Sequence, residues 1–234
     1  MSDLYVTENP RKIDSMRIAY TSGFIGSAVF LLGALISGCT LGSTGPGHLS
    51  IFNHYISELG VTVVSREAIL FNVSLILGGV SIIVFMMAMS HYMENRIACH
   101  ASAAGAFAGC CCSLIGAFPM NGRIMHPLVA YSFFFSGMVS VLLFIVAIIF
   151  DTRHKVARWL VFPGSLSLAC FVMFLFATYL TGLSTALSLS VYRIQIVPAS
   201  FFEWSVFAST ILWILLASSY LFLKRHRSTK RTPL

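Results

Sequence analysis

The chain has 234 residues, 57% of them hydrophobic and only 10% charged, and carries a net charge of +7. A soluble domain of this length has too little interior to hide so much apolar side chain. Its sequence also lacks the ten-residue alternation of a membrane barrel, so the fold class expected is all-α, a polytopic membrane bundle.

Apolar runs near the ~20 residues needed to cross a bilayer as helix fall at about 18–41, 68–90, 98–118, 127–150, 159–182 and 201–223. Arg11, Lys12 and Arg17 precede the first run, as in a signal peptide. That run is too long for a typical apolar signal core, and Gly38-Cys39-Thr40 makes a poor cleavage site. It reads as a retained anchor. A long loop follows, 42–67, opening with Gly42, Gly45, Pro46 and Gly47, which disfavour regular structure. Phe52 to Val64 then mixes apolar and polar residues as a short interfacial helix would.

Asn72-Val73-Ser74 matches a glycosylation acceptor but falls inside the second span and is discounted. The third span places Ala101, Gly105, Gly109, Ser113 and Ala117 at four-residue spacing on one face. Lipid gives helices no hydrophobic drive to associate, so such small residues set close packing. The expectation is one bundle domain over 1–234 with the third span central. Cys110, Cys111 and Cys112 are consecutive on that helix and point in different directions, so they form neither a metal site nor a disulfide framework. No metal and no cofactor is expected.

Twelve of the 15 Lys and Arg residues lie before the first span, in the second and fourth connections, or after the last span. Only Arg66, Arg123 and Arg193 lie on the other face. The positive-inside rule therefore puts both termini in the cytoplasm. The basic tail, 224–234, then suits anionic lipid headgroups and not nucleic acid. A cell membrane is the expected location, or an organelle membrane in a eukaryote.

The non-cytoplasmic face gathers His48, His54, Ser57, Glu58, Arg66 and Glu67 from the first loop, with Asn72 about one turn inside the second span. Asn121, Arg123 and His126 come from the third connection, and Arg193 and Glu203 from the last. Polar groups at membrane depth are costly unless paired. Glu203 reads either as a structural partner of Arg193 or Arg123 or as a ligand group; His126, before Pro127, either caps a helix or moves protons. Asn72 reads as a helix-bridging donor or a ligand contact. The catalytic candidates are His126, Glu203 and Glu58; the binding candidates are Ser57, Asn72, Arg66, Arg123 and Arg193, the arginines as phosphate contacts. There is no H-E-x-x-H, no paired C-x-x-C and no G-x-S-x-G. On the cytoplasmic face His91, Glu94, Arg96, His100, Asp151, Arg153, His154 and Lys155 read as solvated anchors.

Tyr55-Ile56-Ser57-Glu58-Leu59-Gly60, Phe71-Asn72, Gly116-Ala117-Phe118-Pro119, His126-Pro127 and Phe202-Glu203-Trp204 occur in this order along the chain. In that arrangement the chain resembles the DUF998 family of six-span membrane proteins and, more distantly, the FRAG1/DRAM/Sfk1 group. The family's Ser-x-Leu-Gly, Asn, Pro and His positions correspond to Ser57, Asn72, Pro119 and His126. Met120-Asn121 follows Pro119 where the family often has an acidic residue. The resemblance implies no assigned activity for DUF998; the wider group is associated with lipid remodelling of GPI anchors, autophagy and phosphoinositide regulation. Three functions follow in order: lipid handling at a polar headgroup vestibule, with or without catalysis; a non-catalytic scaffold or regulator of a partner protein; and a small-molecule transporter. No Asp or Glu sits mid-span, which weighs against the third.

Overall fold

The computed structural model describes residues 10–41, 50–63, 65–122, 124–181 and 196–229. It contains helices α1 (Pro10–Leu41), α2 (Ala68–Met93), α3 (Arg96–Ala117), α4 (Met125–Ile149), α5 (Val161–Thr181) and α6 (Pro198–Thr229). Two 3-10 turns, Ile56–Gly60 and Arg158–Leu160, interrupt the connections. All six helices are long and apolar enough to cross a membrane, and no strand occurs among the described residues. Large apolar side chains such as Leu35, Ile69, Phe135 and Phe162 point outward. In water such a surface would aggregate; in lipid it is the ordinary exterior.

Each helix packs on its neighbours in the chain, and α6 closes back on α1. The six helices therefore form a ring, and the expected central third span is not found. The small-residue stripe of α3 explains the difference, because it lets α3 approach two neighbours closely without entering the middle. A Cβ added at Gly109 would lie 2.8 Å from the Gly79 carbonyl of α2, and one at Gly79 would lie 2.6 Å from the Gly109 carbonyl. The two backbones touch there. Two turns away, Ser140 of α4 donates to the Ala101 carbonyl at 2.8 Å.

Closure between α1 and α6 is aromatic and polar. Tyr20 meets Phe222 edge-on at 5.4 Å, and Arg225 donates to the Tyr20 hydroxyl at 3.1 Å. The first and last described helices thus have their terminal ends together. Between α5 and α6, Trp213 Nε1 donates to the Leu160 carbonyl at 3.1 Å. The join of α4 to α5 rests on Phe134 and Phe174, whose rings lie 3.9 Å apart.

At the terminal end the anchors are not simply solvated. Asp151 is buried and accepts from the backbone N–H groups of Arg153 at 3.1 Å and Lys155 at 2.7 Å. Lys155 Nζ reaches the Glu94 carboxylate at 2.8 Å and the Tyr92 carbonyl at 3.1 Å, while Lys224 donates to the Lys155 carbonyl at 2.8 Å. The short α4–α5 loop is therefore bonded to the ends of α2 and α6. Asp151→Ala strands two N–H groups, each worth about 1 kcal/mol. It should accelerate trypsin cleavage at Arg153 and Lys155, read by limited proteolysis of detergent-solubilised protein. Unchanged cleavage would mean that Asp151 does not hold the loop.

The opposite end is covered by the segment 50–61. It is not the amphipathic surface helix expected from Phe52 to Val64: Glu58 and Leu59 are fully buried in a 3-10 turn. The segment folds inward because both flanks are fastened to helix ends. Val197 N–H donates to the Phe52 carbonyl at 2.7 Å, Ser200 to the Ile51 carbonyl at 3.2 Å, and Trp204 Nε1 to the His54 carbonyl at 3.0 Å. Phe52 stacks on Phe201 at 5.4 Å. On the far side Asn72 Nδ2 donates to the Gly60 carbonyl at 2.9 Å.

Candidate functional site

A ring of six helices leaves space along its axis, and here that space is incompletely filled. A cavity of about 80 Å³ opens beneath the 56–60 turn. Its walls come from α1, α2, α3, α4 and α6 and are almost wholly apolar, including Phe30, Leu75, Ile115, Phe133 and Ile211. Ser57, His126 and Glu203 form its polar end. A second space of about 50 Å³, between α4 and α5, is lined by Tyr131, Phe174 and Thr178 and by the same Ser57, His126 and Glu203. The two spaces thus meet at one polar trio.

The long cavity follows the helices. Along α6 its lining runs from Glu203 to Ile214, and along α2 from Phe71 to Ile82. Both stretches rise about 16 Å at 1.5 Å per residue. The hydrocarbon core of a bilayer is about 30 Å thick, so the cavity is one leaflet deep.

His126 opens α4, where Pro127 suits the first helical turn. Its Nδ1 lies 2.9 Å from the carbonyl of Phe118, the residue that ends α3. A carbonyl can only accept, so Nδ1 carries the hydrogen, and in the neutral ring Nε2 remains an acceptor. One residue thereby ties two helix ends together and offers a second nitrogen at the cavity.

Glu203 lies in the second turn of α6 and is buried. Its carboxyl faces the Ser57 hydroxyl and the backbone N–H groups of Ile56 and Ser57 at the start of the 3-10 turn. Its second oxygen, Oε2, has no hydrogen-bond partner. A buried acceptor left unsatisfied costs about 1–3 kcal/mol, and such a group calls for a ligand, a water or a function. Ser57 Oγ, besides facing that carboxyl, lies 3.6 Å from Met120 Sδ, a weak acceptor.

The remaining candidates are placed differently. Glu58 is fully buried, with His54 Nδ1 3.8 Å from its carboxylate, and lies within electrostatic range of Glu203 without lining either space. Asn72 is the helix-bridging donor, spent on the Gly60 carbonyl. Arg66 is 85% exposed and 4.0 Å from Glu67, away from the cavity. Arg123, Arg193 and His48 lie outside the described residues. Among the described residues no three His, Cys, Asp or Glu side chains converge as a metal site would require. Sequence reasoning missed the apolar depth of the cavity and the lining residue Thr210, which has no motif and shares a hydrogen bond with Ser167 of α5 at 3.1 Å.

No curated protein and no solved structure shows significant similarity to the chain. A family model does match it, described as protein of unknown function (DUF998), over residues 24–220. The match runs from α1 to α6 and takes in Ser57, His126 and Glu203. With six helices able to cross a membrane in the same stretch, the chain belongs to the DUF998 family and is an integral, multi-pass membrane protein.

Proposed function

We propose that this protein binds a membrane lipid, seating an acyl chain in the axial cavity with its polar head at Ser57, His126 and Glu203. The observation that carries this reading is the shape of the site: an apolar slot one leaflet deep with polar groups at one end only. Small-molecule sites are mostly apolar with a few placed polar groups, and here those groups gather at one end of a slot that runs along the helices. The space between α4 and α5 joins the slot beside the trio and offers a lateral way in.

Orientation is part of the proposal. Twelve of the 15 basic residues lie before the first span, in the second and fourth connections or after the last span, and the positive-inside rule makes that side cytoplasmic. The cavity then serves the non-cytoplasmic leaflet. The basic tail from Lys224 onward contacts anionic headgroups of the opposite leaflet.

Ala130 lines both spaces, so a larger side chain there projects into void. Ala130→Trp should abolish co-purification of lipid in native mass spectrometry while leaving the thermal midpoint unchanged or raised. Retention of the same lipid by a folded Ala130→Trp protein would refute a tail in this cavity and favour the scaffold reading.

A further inference from the structure

The polar end of the cavity is unusual in what it lacks. Its side chains carry no fixed positive charge: Glu203 offers the unpartnered Oε2, an acceptor when the carboxyl is ionised, and neutral His126 offers Nε2 once Nδ1 is spent on Phe118. Ser57 adds a hydroxyl that can donate or accept. Glu203 is 7% exposed and His126 6%, so neither is satisfied by bulk water. Arg66, expected to meet a phosphate, points to solvent instead. An anionic head would place charge against a carboxyl; a head that donates hydrogen bonds would complete it.

The width of the slot adds a second constraint. An engineered cavity of about 150 Å³ takes a benzene ring, so a slot of about 80 Å³ has no room for two chains, and one slender chain enters only by spreading its apolar walls.

We infer that the ligand is a single-chain amphiphile whose head donates hydrogen bonds, a hydroxyl or an amine, to Glu203 Oε2 and His126 Nε2. This rests on the cavity being a lipid-tail site, and it adds the chemical class. A two-chain phospholipid is too wide for the slot, and a fatty acid or an alkyl phosphate has the wrong head. The amine pairs with the Glu203 carboxyl by charge as well as by hydrogen bonding, so it depends on that residue more than the alcohol does.

Four probes with the same chain length separate these alternatives: dodecylamine, monolaurin, laurate and dodecyl phosphate. Each is titrated against full-length protein in nanodiscs, with binding read by native mass spectrometry. Wild type should bind dodecylamine and monolaurin at least tenfold more tightly than laurate or dodecyl phosphate. Glu203→Gln should weaken dodecylamine at least tenfold and monolaurin only a few-fold, and should strengthen laurate.

The wild-type ranking stands without the variant, so a Glu203→Gln protein that failed to fold would not remove the test. Equal or tighter binding of the two anionic probes by wild type would overturn the inference. So would a Glu203→Gln protein with the wild-type ranking intact. Ala130→Trp separates the two levels. If it removes every probe while no head preference exists, the donor-head inference fails and the lipid-tail site survives. If it removes none, the tail site itself is wrong.

Discussion

Gly79→Val should be the most damaging single substitution in the protein, preventing accumulation of folded material. The new Cβ would lie 2.6 Å from the Gly109 carbonyl and 2.8 Å from the Ser113 backbone nitrogen, besides pressing on the Ser113 hydroxyl. Both backbone atoms belong to a continuous helix, so neither can move without α3 moving with it. Overpacking a tight contact costs about 1–3 kcal/mol; Gly79→Ala should fall in that range and lower the thermal midpoint, and the two further methyls of Val exceed what the seam can absorb. The measurement is fluorescence-detected size exclusion of a tagged protein, followed by thermal unfolding in detergent. Gly122→Ala is the control, since its nearest non-local atom is the Pro119 carbonyl at 3.2 Å in a loop. A Gly79→Val protein as monodisperse and stable as the control would show that α2 and α3 do not meet at this point.

Two substitutions at His126 should separate its structural contribution from its contribution to binding. His126→Ala removes the donor to Phe118 and leaves a carbonyl at the end of α3 unpaired, costing about 1–3 kcal/mol. His126→Asn can restore that bond, because an amide N–H can take the place of Nδ1, but it has no counterpart of Nε2. The Ala variant should lose both thermal stability and lipid retention. The Asn variant should regain most of the stability and still bind lipid several-fold more weakly than wild type. Should Asn restore both properties, His126 would be a fastener between α3 and α4 and nothing more. Should neither variant lower stability, the Phe118 bond would carry no weight.

These two experiments address different layers of the same site. The Gly79 seam sets how closely α2 and α3 approach, and the cavity exists because a ring of six closely packed helices cannot also fill its axis. The two His126 substitutions act at the polar end of the cavity, where the chain must end one helix, turn and begin another. Stability and binding are therefore coupled through backbone geometry, and a variant is informative only when both are measured.

Hydropathy alone located six helices to within a few residues at most ends, because bilayer thickness imposes a length that no other constraint overrides. The exceptions were the N-terminal end of α1, at Pro10 and not residue 18, and the C-terminal end of α6, at Thr229. There the helix continues beyond the apolar run, which hydropathy does not report. Ser57, His126 and Glu203, which meet at the polar end of the cavity, were among the sequence candidates because polar residues near helix ends of an apolar chain are few.

What the linear order could not supply was partnership. The stripe from Ala101 to Ala117 announces a close contact but not with whom; both α2 and α4 use it, and α3 stays in the ring. Glu58 and Glu203 look alike as carboxyls near the loop end. Tertiary packing buries the first beside His54 and turns the second toward the cavity with one oxygen unpaired. Arg66 was a phosphate-contact candidate, and the fold leaves it exposed beside Glu67, outside the cavity lining. The membrane plan follows from one-dimensional quantities, length and hydropathy, that a chain carries in itself. The cavity and the acceptor-rich character of its end depend on which side chains meet across helices far apart in sequence, and only packing decides that.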